Sequence, residues 1–219
     1  MTRHRLDELL VQRGLYSSRS RARDAIARGT VTVDGVVAAK PAQNTGLDSR
    51  IEILDDARNY VSRSALKLKS GLSFFNITAK GLNCLDIGAS TGGFTQVLLE
   101  QGAAHVTAID VGHGQFDASL HSNPNVTSIE GLNARDLTAD HLKHKIDLIV
   151  CDVSFISLKL ALPAALALAE AGTRLLALTK PQFEAGRDAI GRGGIVSDPQ
   201  VHERVCKDVC AFLTAKNWK

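Results

Sequence analysis

The chain has 219 residues, of which 44% are hydrophobic and 22% charged, and a formal net charge of +3. That length holds one large domain or a medium one with a small companion, and the apolar share suffices to bury a core. No run of about 18 apolar residues occurs, and the opening MTRHRLDELL is too charged for a signal peptide. The expectation is a soluble, cytoplasmic protein rather than one built into a membrane.

The modest total charge conceals two basic segments. Residues 1–30 hold seven Arg against three acids, and residues 58–80 hold Arg58, Arg63, Lys67, Lys69 and Lys80 with no acid. Such patches suit a polyanionic partner. Cys84, Cys151, Cys206 and Cys210 form no CxxC pair, and the last two alone do not make a zinc site. Reduced, mostly buried thiols and no metal are expected.

In chain order, Arg5–Arg13 places Leu6, Leu9 and Leu10 at helical spacing, with Gly14 as a stop. Ser17 or Ser18 can cap a second helix, Arg19–Arg28, whose Ala22, Ala25 and Ile26 face inward and whose Arg19, Arg21 and Arg23 face out. Val31–Val33, Asp34-Gly35 and Val36-Val37 predict a tight hairpin, and Arg50–Leu54 a further strand. The run RLDELLVQRGLYSSRSRARDAIARGTVTVDGVVAAKP resembles the αL RNA-binding module, a small α+β domain named after a small-subunit ribosomal protein. The resemblance implies phosphate contacts from Arg19, Arg21, Arg23 and Lys40. Arg3, Arg5 and Arg63 are counted with them as RNA-facing cations. Recognition would follow RNA shape more than sequence.

Asp55–Asn59 reads as a domain joint, so that residues 1–56 form the RNA-binding domain, 57–80 a basic linker and first helix, and 81–219 the main domain. The first helix, from about Ser62, would bury Leu66, Leu68, Leu72 and Phe75 and carry Arg63 and Lys67 on one face. Next come an apolar strand, Leu82–Ile87, a Gly-rich turn, Gly88–Gly93, and an amphipathic helix from near Thr91. This is the layout of a nucleotide-type site at the carboxyl edge of an open α/β sheet. Ser90 stands where a dinucleotide fingerprint needs its middle glycine, and no G-K-[ST] follows to make a phosphate loop. A cofactor with ribose and adenine but no phosphate, S-adenosylmethionine, fits better. Gly88, Ser90, Gly92 and Gly93 would form its turn, and Asp86 would hold the α-ammonium directly or through water. Asp110, closing the strand from His105, would accept from the ribose hydroxyls. Asn133 to Asp136, after a strand at Val126–Ile129, would read the adenine.

A continuous apolar strand, Ile146–Cys151, ends in Asp152, and a fifth, Arg174–Thr179, ends in Lys180. By the sheet rule Asp86, Asp152 and Lys180 surface at one edge. The motifs YVSRSALKL, LDIGASTGGFT, CDVSFISL, LTKPQFE and GRGGIVSDP, with the αL module before them, resemble the FtsJ-like ribose 2′-O-methyltransferases, and within them the haemolysin-type (TlyA) rRNA methyltransferases.

That resemblance implies a Rossmann-like, S-adenosylmethionine-dependent α/β methyltransferase sheet, rRNA or ribosomal subunits as partner, and methylation of a ribose 2′-hydroxyl, cytidine being the nucleoside. It also implies a Lys-Asp-Lys-Glu tetrad, whose first three places fall on Lys67, Asp152 and Lys180. No residue takes the fourth. Ser64-Ala65 stand where glycines are common in the family.

A ribose hydroxyl sheds its proton as it attacks, so a neutral lysine can serve as base. Alignment alone is the other mechanism left open. A bare rim salt bridge between Lys180 and Asp152 is the bland alternative. Pro199–Lys216 predicts a helix with Val201, Val205, Val209, Phe212 and Leu213 on one side, and the Gly-rich Gly186–Val196 a loop near the rim. Five parallel strands are counted where such sheets usually have seven, so the last strands are expected to be missing. The competing functions are an RNA-binding protein with an inactive methyltransferase fold, and a membrane-active haemolysin.

Overall fold

The computed structural model describes residues 3–218, with the backbone alone for Arg187. The chain divides into two compact units after Asn59 rather than after residue 56. No helix among the described residues is long and apolar enough to cross a membrane.

In the first unit β1 (Arg3–Arg5) pairs antiparallel with β4 (Asn44–Gly46), a pairing with no sequence signal. Helices α1 (Leu6–Gln12) and α2 (Arg19–Ala27) follow β1, and Ser18 caps α2 by accepting from Arg21 N at 3.3 Å. β2 (Val31–Val33) lies between β3 (Val36–Val37) and β5 (Ile51–Ile53). Asp34 and Gly35 both take positive φ, as a two-residue hairpin turn between twisted strands demands. Leu6, Leu10, Ala22, Ala25, Ile26 and Val31 fill the core.

The end of this unit is tied down by Asp55, whose side chain is 1% exposed. It accepts from Arg28 Nη1 and Nη2 at 2.8 and 2.9 Å, from the Tyr16 hydroxyl at 2.9 Å and from Ala57 N at 3.1 Å. The Arg28 bonds hold its carboxyl below the usual range, while burial, with Asp55 beside it, pushes the Tyr16 phenol up to about 12.

The second unit opens with α3 (Ser64–Phe74), so the helix assigned to a linker packs in the core of this unit. Leu68 and Leu72 are buried, but Phe75, expected inside, lies at the helix end and is 59% exposed. β6 (Asn83–Ile87), α4 (Gly93–Glu100), β7 (His105–Asp110), α5 (Ala118–His121) and β8 (Val126–Glu130) run to one side of the sheet. The chain then crosses to the other side of β6 with β9 (Leu148–Cys151), α6 (Leu158–Ala161), α7 (Pro163–Leu168) and β10 (Arg174–Ala177). α8 (Pro181–Glu184) and α9 (Pro199–Ala215) complete it. Between them Gly186–Val196 holds two single 3-10 turns, at Arg187–Ala189 and Arg192–Gly194.

The five described strands of this unit are all parallel, in the order β10-β9-β6-β7-β8. Alternate residues of each strand serve opposite faces. Cys84, Leu148 and Val150 meet α3 and α4, whereas Leu85, Ile87, Ile149 and Cys151 meet α6, α7 and Val209 of α9. Burial pushes the Cys84 and Cys151 thiols up to about 12, which leaves them unreactive. Cys206 and Cys210, by contrast with expectation, are exposed, because Val205 and Val209 take the inner face of α9. The order of strands reverses between β6 and β9, and a crevice opens beyond their carboxyl ends.

Candidate active site

Two hollows occupy that crevice. The larger, about 560 Å³, is lined by Gly88, Ser90, Asp110, Gln115, Asn133 and Asp152, among others. The smaller, about 250 Å³, is lined by Ser62, Ser64, Lys67, Phe94, Asp152 and Lys180, among others. Both touch Gly88, Ser90, Asp152 and Ser154, so the hollows adjoin at these residues.

The turn after β6 makes the crevice possible. Gly88 has φ +82°, and a Cβ there would lie 3.0 Å from the Asp152 carbonyl oxygen, so only glycine lets the two strand ends approach. A Cβ on Gly93 would meet Ser64 Oγ at 2.5 Å, which is how α4 comes close enough to the start of α3 to place Lys67. Gly92 packs against Leu120 and Phe116, so Gly92 and Gly93 shape the site from behind rather than line it.

Asp110 accepts from Ser90 N and from Gly112 N, each at 2.7 Å. The carboxylate thus locks the Gly-rich turn to the loop after β7 and retains free lone pairs toward the larger hollow. Asn133 lines that hollow and caps the next turn by accepting from Arg135 N at 3.1 Å. Asp136, expected beside it, is exposed and lines neither hollow.

Asp86 also departs from its expected place. It has the strand parity of Cys84, faces α4 and is wholly buried, with Oδ2 accepting from Thr95 Oγ1 at 2.7 Å. Its Oδ1 has no hydrogen-bond partner among the described residues, and the side chain lines neither hollow. Burial raises its pKa to about 7, against the lowering effect of Thr95.

A carboxyl whose pKa rises on folding, here from 3.8 to about 7, binds its proton more tightly when folded. Folding is therefore penalised increasingly as pH climbs through that interval, and the penalty is complete above it. Asp86→Asn, which cannot ionise, is expected to raise Tm above that of the parent at pH 8. At pH 5 the difference should narrow, as thermal melts across this range would register.

At the junction of the hollows, Lys180 Nζ lies 2.6 Å from Asp152 Oδ1, and Lys67 Nζ 3.7 Å from Oδ2. The side chain of Lys180 is 19% exposed and that of Asp152 12%, whereas Lys67 is 55% exposed. The three residues assigned to the tetrad thus meet, although they come from three separate elements. Lys180 also donates to Ser154 Oγ at 2.7 Å, a contact that sequence reasoning missed. Phe155 adopts a left-handed φ of +65° and is 92% exposed at the rim. Glu130 was missed as well. It gathers the backbone N–H groups of Gly114, Gln115 and Phe116 at 2.9, 2.8 and 3.1 Å, which draws its pKa down and shapes one wall of the larger hollow.

The expected RNA-facing cations divide into two groups. Arg19 pairs with Asp7 at 3.1 Å and Glu8 at 3.0 Å, and Arg5 with the same two acids. Arg21 donates to the carbonyls of Ala57 and Arg58. Asp7 is fully buried, so Arg5 and Arg19 neutralise it and serve the fold. Arg3, Arg23, Lys40 and Arg63 are exposed. Among the described residues no group of three or more His, Cys, Asp or Glu side chains is placed to hold a metal ion.

An open parallel sheet with a Gly-rich turn, Asp110 and the Lys67–Asp152–Lys180 cluster at its switch point has the architecture of a Rossmann-like methyltransferase. The profile of the FtsJ-like methyltransferase family matches residues 60–219, and that of the S4 domain residues 4–49. The chain belongs to the FtsJ-like methyltransferase family. It is 47% identical to the 16S/23S rRNA (cytidine-2′-O)-methyltransferase TlyA of Mycobacterium tuberculosis, over 99% of this chain and 81% of the relative. It is 40% identical to hemolysin A of Brachyspira hyodysenteriae, over 95% and 87%. A solved structure described as a hemolysin, from Streptococcus thermophilus, superposes with a TM-score of 0.75 at 38% identity, covering 99% of this chain and 79% of that one.

Proposed function

We propose that this protein methylates a ribose 2′-hydroxyl of ribosomal RNA, that of a cytidine, with S-adenosylmethionine as donor. The observation that carries the reading is the junction of two hollows at Asp152, with Lys180 and Lys67 at its two oxygens. Cytidine and ribosomal RNA rest on the activity named for the Mycobacterium tuberculosis relative.

The larger hollow has the volume of a small-molecule site. Its turn lacks a phosphate fingerprint, and Asp110 and Asn133 in its lining would offer acceptors to a ribose diol and polar atoms to a base. These residues suit an adenosyl group. When bound there, S-adenosylmethionine supplies an electrophilic methyl carbon.

The chain's own part is played in the smaller hollow. Lys67 and Lys180 attract the RNA backbone and place the acceptor hydroxyl, and Asp152 fixes the Lys180 amine. Lys180 Nζ receives the hydroxyl proton when it is in its neutral form. The N-terminal unit supplies RNA affinity through its exposed Arg3, Arg23 and Lys40.

The test is methyl incorporation from labelled S-adenosylmethionine into ribosomal subunits, followed by mass mapping of the product. The expected label is a 2′-O-methyl group on cytidine. Label on a base, or none on either subunit, would overturn the reading. In the latter case, RNA binding without transfer would identify an RNA-binding protein with an inactive fold.

A further inference from the structure

Two short segments carry the paired groups of the smaller hollow: residues 152–158 after β9, and residues 180–184 through α8. The ladder between β9 and β10 ends where Leu178 N donates to Cys151 O at 2.9 Å. Beyond that point five contacts, in three groups, join the segments. Lys180 meets Asp152 at 2.6 Å and Ser154 at 2.7 Å at the near end. The rings of Phe155 and Phe183 follow, with centroids 5.2 Å apart. At the far end Ser157 Oγ donates to Glu184 Oε2 at 2.5 Å, and Leu158 N donates to Oε1 at 2.6 Å.

We propose that Glu184 is a positioning residue that latches the Asp152 segment to the Lys180 segment and thereby sets the geometry of the Lys180–Asp152 pair. Glu184 lines neither hollow, so it acts through the groups it holds. One carboxylate satisfies two donors of the same segment, the side chain that caps α6 and a backbone N–H of its first turn. Lys180 is the N-cap residue of α8 and Glu184 its last residue, so the latch and the base sit at opposite ends of a single helical turn. Phe155 lies between the two tie points with φ +65°, a conformation that a non-glycine residue keeps only where its surroundings hold it on both sides. Charge-assisted bonds of this length give the clasp its stiffness.

The significance of the latch for methyl transfer rests on the function proposed above, but its structural test does not. Glu184→Gln keeps an acceptor for one donor and turns an NH₂ toward the other. In this variant Lys180, freed from Asp152 and Ser154, is expected to be acetylated several-fold faster by acetic anhydride. Exposed Lys145 and Lys207 should react as in the parent when the modified peptides are quantified by mass spectrometry. Transfer to ribosomal RNA should show kcat lowered by about 10- to 100-fold, as for a misplaced reacting pair. The Kd for S-adenosylhomocysteine should stay within about twofold, a change too small to account for the loss. Ser157→Ala should have the same effects in milder form, and adding it to Glu184→Gln should cost little more, because both cut one clasp.

An unchanged Lys180 acetylation rate in both variants would overturn the proposal, as would an undiminished kcat in Glu184→Gln. A parent protein without methyl transfer would overturn the proposed function instead, and the acetylation rates would still decide the latch.

Discussion

Lys180→Ala is expected to lower single-turnover methyl transfer by about 10³-fold, the middle of the range that a positioned proton acceptor contributes. The truncation leaves Asp152, 12% exposed, with Lys67 at 3.7 Å as its one remaining cation at the junction. The larger hollow is not lined by Lys180, so the Kd for S-adenosylhomocysteine should be unchanged. Lys180→Arg discriminates between the two mechanisms. Arginine keeps the cation and an ion pair with Asp152, but its guanidinium does not give up a proton in proteins. If Lys180 accepts the hydroxyl proton, the Arg variant is as impaired as the Ala variant. If alignment and charge suffice, it recovers most of the rate. Full activity of Lys180→Ala would remove Lys180 from the chemistry altogether.

The second large effect is expected at Asp110. Its two oxygens receive Ser90 N and Gly112 N at 2.7 Å, which joins the Gly-rich turn to the loop after β7. Ser90 has φ +49°, left-handed for a residue with a side chain, and Asp110 holds its N–H there. Asp110→Ala releases both donors and removes the acceptors proposed to meet the ribose of the cofactor. Binding of S-adenosylhomocysteine, followed by calorimetry, should weaken by about 100-fold or more, given the worth of hydrogen bonds to a charged group. Asp110→Asn, able to accept at one of the two N–H groups, should fall between. RNA binding should be unaffected in both, because the N-terminal unit carries its own cations. An Asp110→Ala variant that binds the nucleoside like the parent would place the cofactor elsewhere.

Much of this architecture was legible because the signals are local. The spacing of Leu6, Leu9 and Leu10 announces a helix, and the Asp34-Gly35 dipeptide a hairpin. The apolar runs before Asp86 and Asp152 announce buried parallel strands. Once these strands lie parallel in one sheet, their carboxyl ends must share an edge, so Asp86, Asp152 and Lys180 were brought together on paper, correctly for the last two. Lys67 was placed by family resemblance alone. The close approach at Gly93 that sets its helix against α4 has no counterpart in local sequence.

Where the sequence misled, the deciding factor was which face of an element met a neighbour. Asp86 closes its strand as a ligand should, yet its parity turns it under the turn toward Thr95, where it is wholly buried. Arg19 and Arg21 lie on the helix face that looks solvent-bound in isolation. Asp7 from α1 and the carbonyls at Ala57 and Arg58 claim them. Glu130 and Glu184 read as ordinary acidic residues, since their partners are backbone N–H groups and a serine that local pattern does not reveal.

The sequence by itself determined the two-part layout, the parallel sheet and the Gly-rich turn, while the Lys67–Asp152–Lys180 set came from motifs shared with a family. Each of these rests on hydrophobic period, turn chemistry or a motif contained within a few adjacent residues. Only the tertiary structure decided which charges are free to meet a ligand and which are spent on the fold. That distinction depends on desolvation and on partners remote in the chain. A carboxylate such as Asp86 or Asp7 is the same residue in either role until packing removes its water.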